Sequence, residues 1–190
     1  MQVDRPNLYH NSFNYFTTVE ESLAASMGLS DLTAGRQIIR NEKGWRENEK
    51  NIAYVWIVAI SKSFAGDCYI FSIKFIASKF RDVNNPEEII QGIFTFQDSH
   101  ISNLYYETVK ADENDIINTF NFNLSDANKG ITIDGVNYAI RVIALNTDTF
   151  VIVHNPNTTQ WQQWEKSIWQ FARKLAKSAN NNEFSDLFTY

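Results

Sequence analysis

The chain has 190 residues, 44% of them hydrophobic and 21% charged, which suits one compact domain or two very small ones. With 17 Lys+Arg against 22 Asp+Glu the formal net charge is -5, so a general nucleic-acid binder is excluded unless the basic residues are segregated, because releasing counterions from phosphates needs a basic surface. The lone cysteine, Cys68, excludes an internal disulfide and a four-sulfur zinc site, and points to a reducing, cytoplasmic setting.

Residues 1–16 are polar and aperiodic, and carry no basic stretch followed by an apolar run, so they read as a tail and not as a secretory signal. Residues 17–50 read as a helical N-terminal segment followed by a charged connector. Thr18 and Glu21 have the spacing of a capping box, Val19, Leu23 and Met27 share one helical face, and Gly28 is a helix stop. A second short helix is expected from Ser30 to about Arg40, with Leu32, Ile38 and Ile39 on its apolar side. The charged stretch Asn41–Lys50, with Gly44 and an isolated Trp45, reads as the solvated connector.

An α+β core is expected over residues 51–179. The run Ile52–Ile60 is rich in β-branched and aromatic residues and is far shorter than the roughly 20 residues of a membrane-spanning helix, so it reads as a buried strand. Cys68–Phe75 alternates with period two and reads as a second strand after a turn at Ser61–Asp67, although Ile76 and Phe80 extend it at helical spacing. Asn85 and Pro86 before Glu87 and Glu88 start a short helix. Ile93–Phe96 and Ile101–Val109 follow as strands around a turn at Asp98–His100, then a helix at Asp112–Phe120 and a loop at Asn121–Lys129.

Ile131–Ile133, the Asp134-Gly135 pair and Val136–Leu145 form the pattern of a hairpin with a two-residue turn. Thr149–Val153 adds a third strand, so an antiparallel meander is expected over about 131–153. In the last helix Trp161, Trp164, Ile168, Phe171 and Leu175 recur in steps of three and four and form one apolar stripe. Asn180–Asn182 stops this helix, and residues 180–190 read as a tail.

The spacing carries no enzyme chemistry and calls for no cofactor. His10, His100 and His154 are isolated, which leaves no metal-ligand spacing. Cys68 lies in an apolar segment where a thiol is inert, and the seven glycines never cluster into a phosphate-cradling loop. The aromatic residues carry the functional expectation instead. Trp169 lies about 120° from the centre of the apolar stripe at roughly 100° per residue, beside Arg173, which is the composition of a binding hot spot or of packing under the N-terminal segment. Trp45 poses the same alternative.

From about residue 89 to 178 the expected order is strand, strand, helix, strand, strand, strand, helix, in which ENDIINTFNFNLSDANKGITIDGVNYAIRVI carries the acidic helix start, the Gly-led strand, the tight turn and the next strand, and TDTFVIVHNPNTTQWQQWEKSIWQFARKL the final strand and helix. That order resembles the profilin, longin and roadblock group of small interaction domains. Three strands between the two helices are fewer than profilins use, and residues 1–88 have no counterpart in those cores. The resemblance implies a protein partner, and in its profilin form a proline-rich ligand held by aromatics of the terminal helix with Tyr105. The size and acidity are also similar to the small dimeric chaperones of secretion systems, which implies a homodimer, and an acidic immunity or inhibitor protein fits the same charge. An enzyme whose site assembles only in three dimensions is the remaining alternative. The reading is therefore an α+β, non-enzymatic protein-binding module, with Trp169, Arg173, Trp45 and Tyr105 as partner-contact residues, no metal, no nucleic acid and no membrane span.

Overall fold

A computed structural model of the chain describes residues 19–62, 66–76, 88–97, 100–110, 135–180 and 182–188. The first helix, α1, covers residues 19–26 and buries Val19 and Leu23. It ends as the sequence predicts. Gly28 adopts a φ of 69°, the Leu29 N–H donates to the Ala24 carbonyl at 2.8 Å and the Gly28 N–H to the Ala25 carbonyl at 3.1 Å, the paired bonds of a Schellman motif.

Among the described residues seven antiparallel strands follow: β1 (Gly35–Arg40), β2 (Arg46–Lys62), β3 (Gly66–Ile76), β4 (Glu88–Gln97), β5 (His100–Lys110), β6 (Val136–Ala144) and β7 (Thr147–His154). Their order across the sheet is β5-β4-β3-β2-β6-β7, with β1 paired to β2 off this path. β2 is 17 residues long and organises the sheet. β6 pairs with its second half, from Tyr54↔Ala144 to Lys62↔Val136, and β1 with its first half, from Gly35↔Ile52 to Arg40↔Arg46. β3 reaches back along the other edge only to Asn51↔Ile76. Residues 36–50 therefore stand beyond the β3 and β6 pairings as a two-stranded arm.

Successive residues of β2 point to opposite faces, and both faces are buried. Val55, Ile57 and Ala59 join Tyr69, Phe71, Ile73, Ile90 and Ile143 in a core closed by Val19, Leu23, Leu29 and Leu32. Trp56, Val58 and Ile60 join Ile70, Ile93, Tyr138, Ile140 and Val153 in a second core closed by the helix α2 (Thr159–Ser178) through Trp161, Trp164, Ile168, Ala172 and Leu175. Burial on both faces is why this strand appears as an unbroken apolar run. The Tyr138–Trp164 and Trp161–Trp164 pairs meet edge to face at 5.2 and 5.3 Å between ring centroids.

The antiparallel sheet and the long C-terminal helix place the chain in the α+β class, as the sequence predicts. The segment around Cys68 is strand through Ile76. β6 and β7 supply two strands of the expected meander. Ile131–Asp134, the expected helix at Asp112–Phe120, the loop 121–129 and the tail 1–16 lie outside the described residues. At Gly135 a Cβ would overlap the Asn155 carboxamide, so close approach of a neighbouring side chain fixes glycine there.

Four local expectations are corrected. Residues 35–40 are strand and not helix: Ile38 and Ile39 suit extended backbone, and the edge of β2 beyond β6 takes them as its partner. The connector 41–50 is a tight turn followed by strand from Arg46, and its charges suit an arm that lies outside both cores. Glu88 opens β4 and not a helix. In place of a C-terminal tail, a short helix α3 (Asn182–Leu187) follows Asn180, which takes the left-handed φ of 54°, and Phe188 is buried against α2.

The link from α1 to β1 is tied down by Gln37, a buried polar residue of β1. Its Nε2 donates to Asp31 Oδ1 at 2.7 Å and to Thr33 Oγ1 at 2.6 Å, and its Oε1 accepts from Ser30 Oγ at 2.9 Å. The Thr33 hydroxyl and N–H, with Gln37, hold the Asp31 carboxyl below its ordinary pKa against a smaller opposing effect of burial. Replacing Gln37 by leucine is expected to lower stability by about 2 kcal/mol, because the loop polar groups lose their shared partner. Urea denaturation followed by tryptophan fluorescence measures this, and an unchanged midpoint would show that water replaces the amide at no cost.

Candidate functional site

The two tryptophans that the sequence singles out lie at opposite ends of β2. Lys62 ends the strand beside α2, whereas Trp45 precedes its first residue, Arg46. At about 3.3 Å per residue the two ends are on the order of 50 Å apart. No single patch joins Trp45 to Trp169.

At the α2 end Trp169 is 4% exposed. Its Nε1 donates to the Tyr138 hydroxyl at 2.7 Å, and that hydroxyl donates to Glu165 Oε1. Lys62 Nζ stands 4.0 Å above the indole centroid, and Phe188 packs on it with centroids 5.6 Å apart. Burial draws the Lys62 pKa below its ordinary value, opposed by the nearby Glu165. The indole is thus enclosed on one face by a cation and on its flank by the segment after α2. The packing alternative for Trp169 is the one realised, although the covering segment is C-terminal. A signal for it exists in the sequence, where Phe184, Leu187 and Phe188 follow the Asn180–Asn182 stop at helical spacing.

Arg173 is exposed on the outer face of α2, one turn beyond Trp169. Tyr105 lies in β5 opposite Ile93 of β4. Cys68 lies on β3 between Ile60 of β2 and Thr95 of β4, and burial, reinforced by Asp67, pushes its thiol well above the ordinary range. Such a thiol stays protonated and is a poor nucleophile. His154 is exposed, its Nδ1 2.7 Å from Asn137 Oδ1. Among the described residues no group of three His, Cys, Asp or Glu is placed to hold a metal ion, and no helix is long and apolar enough to cross a membrane.

Trp45 stands on a different footing. It is 72% exposed, yet the turn beneath it is closed by hydrogen bonds. The Asn41 N–H donates to the Trp45 carbonyl at 2.9 Å and Gly44 N–H to the Asn41 carbonyl at 2.8 Å. Asn41 Oδ1 accepts from the Lys43 and Trp45 N–H groups at 3.0 Å each, and Arg40 Nη1 donates to the Gly44 carbonyl at 3.0 Å. Gly44 supplies the left-handed φ of 78° that the turn needs. Behind it Arg36 and Arg46 both pair with Glu49, and these hydrogen-bonded arginines hold the Glu49 carboxyl below its ordinary pKa. Lys50 reaches Glu88 at 3.1 Å and covers the Phe75 ring at 4.3 Å, which fastens the base of the arm to the sheet. The result is a fixed backbone that presents one large aromatic ring to solvent. Comparison with known protein families, with curated proteins and with solved structures finds no match to this chain.

Proposed function

We propose that the chain is a non-enzymatic protein-binding module that contacts its partner through the β1–β2 arm. The observation that carries this reading is Trp45, a fully presented indole on a turn whose backbone is already ordered. Large aromatic side chains dominate protein interfaces when they enter a partner pocket, and an anchor ordered in advance loses little entropy on docking. The charged residues around it form the polar rim of such a contact, and the remaining surface of the arm supplies complementarity. This keeps the class of the profilin, longin and roadblock domains that residues 89–178 resemble. It moves the contact from the terminal-helix aromatics, whose tryptophans are buried, to the arm.

Trp45→Ala tests the reading. The ring leaves both cores untouched, so the melting temperature is expected to stay within about 1 °C, whereas a hot-spot loss of about 2 kcal/mol weakens partner binding roughly 30-fold. A photo-crosslinker placed at position 45 of the full chain, irradiated in the cells that make it, should give a single adduct with a different protein. The affinity of that protein is then measured against the alanine variant. An adduct with a second copy of the chain would assign the arm to a homodimer instead, and unchanged affinity in the variant would remove the arm from the contact.

A further inference from the structure

We propose that the outer face of α2 is a binding surface for the phosphate backbone of a nucleic acid. At about 100° per residue, Lys166, Arg173 and Lys177 fall within roughly 20° of a single line along the helix. Lys174 lies about 80° round from that line, and Gln162, Gln163 and Gln170 are interleaved; all seven side chains are exposed. The helix has one acid, Glu165, and it is half-buried and accepts the Tyr138 hydroxyl. No ion pair among the described residues engages the four cations. Arg173, Lys174 and Lys177, with Gln170 and Ser178, share one open, shallow stretch of this face, so three cations lie within one patch. In a chain with a formal charge of -5, this is the segregation that the composition alone does not reveal.

The chemistry of the face selects among polyanions. No exposed side chain of α2 is apolar, and its apolar stripe is buried on the sheet, so the helix has nothing to insert among acyl chains, as a membrane-surface helix must. It also has no aromatic or aliphatic centre of the kind that carries a protein interface. Lysine and arginine mixed with glutamine and serine is the set of groups that contacts phosphate oxygens. From Lys166 to Lys177 the helix rises about 16 Å, the length over which one strand presents about five phosphates. Contacts of this kind fix position and do not read sequence.

The test is fluorescence anisotropy of the full chain with a labelled twenty-nucleotide single strand and with the matching duplex, over a salt series. Binding is expected at about 25 mM salt, with log K falling against log salt at a slope of about -3 for four phosphate contacts. Arg173→Gln with Lys177→Gln should lower the affinity at least tenfold and reduce the slope by about 2, with an unchanged melting temperature because both residues are exposed. The two probes decide between single strand and duplex. Absence of binding by either probe at low salt, or a slope retained in the double variant, would overturn the proposal. So would displacement by phosphatidylserine vesicles or polyglutamate at matched charge, which would reassign the stripe to a membrane or to an acidic protein. The surface is independent of the arm, so Trp45→Ala leaves this binding intact if the proposal holds.

Discussion

Trp169→Ala is expected to destabilise the fold by about 4 kcal/mol, the range for removing a large buried aromatic ring. Three losses combine. The ring is 4% exposed, so its removal leaves a cavity between α2 and Phe188. The Tyr138 hydroxyl loses the indole N–H that donates to it at 2.7 Å, and Lys62 loses the aromatic face 4.0 Å below its ammonium. Trp169→Phe keeps a ring against Phe188 but removes the donor, and about 2 kcal/mol is expected. Urea denaturation of both variants beside Trp45→Ala makes the comparison, since the exposed ring should cost less than about 0.5 kcal/mol. If Trp169→Ala instead behaved like Trp45→Ala, the indole would lie at the surface, and its assignment as a partner contact would return.

The second large effect is expected at Arg141. This side chain is 19% exposed and joins two parts of the molecule. Its Nη1 donates to both carboxylate oxygens of Glu20 on α1, at 2.7 and 2.9 Å. Nε and Nη2 form a fork on Asp148 at the start of β7, at 3.2 and 3.1 Å. Burial is the largest influence on Glu20 and raises its pKa above 4.5 even though Arg141 opposes it. A group whose folded pKa is raised contributes stability that is present below its unfolded value and is lost as pH rises through the folded value. Arg141→Ala removes the cation that offsets burial, so the cost should be about 3 kcal/mol at neutral pH, the cost of leaving a buried charge unpaired. As pH falls through and below the ordinary glutamate range, Glu20 becomes protonated in both states and about 1 kcal/mol should remain. Equal costs at pH 4 and pH 7 would show that Glu20 does not depend on the guanidinium. Asp148, whose side chain is 59% exposed, adds little because water screens it.

Elements whose hydrophobic pattern is set by a single core were legible in the sequence. Ile52–Ile60 has no polar interruption because β2 is covered on both faces, and the tryptophan stripe of α2 has one sheet to cover. The arm was not legible, since only Ile39 and the base of the stretch 36–50 meet the first core, and residues 41–50 carry the charges of a solvated loop. Strand pairing there is set by the vacant edge of β2, which no local pattern reports. Ile38 and Ile39 fit helical and extended backbone alike, and Gln37, buried by a hydrogen-bonded loop, breaks the expected alternation. Trp169 was misplaced for a related reason. A helix that buries one stripe on a sheet can bury a second flank under a later segment, and the covering residue, Phe188, comes 19 positions further along the chain.

The position of β2 also sets a hazard during synthesis. Its apolar run is complete at Ile60, but β6, which satisfies its second edge, starts at Val136, and the covering helix runs from Thr159 to Ser178. At about 5–20 residues per second, an unprotected strand waits on the order of 5–20 s on the ribosome for the residues that enclose it. During that interval its second half, from Tyr54 to Lys62, has β3 on one edge and leaves the other open to the same strand of a neighbouring nascent chain. Translation speed between residues 62 and 178 should therefore govern the yield of soluble protein more strongly than the stability of the finished fold.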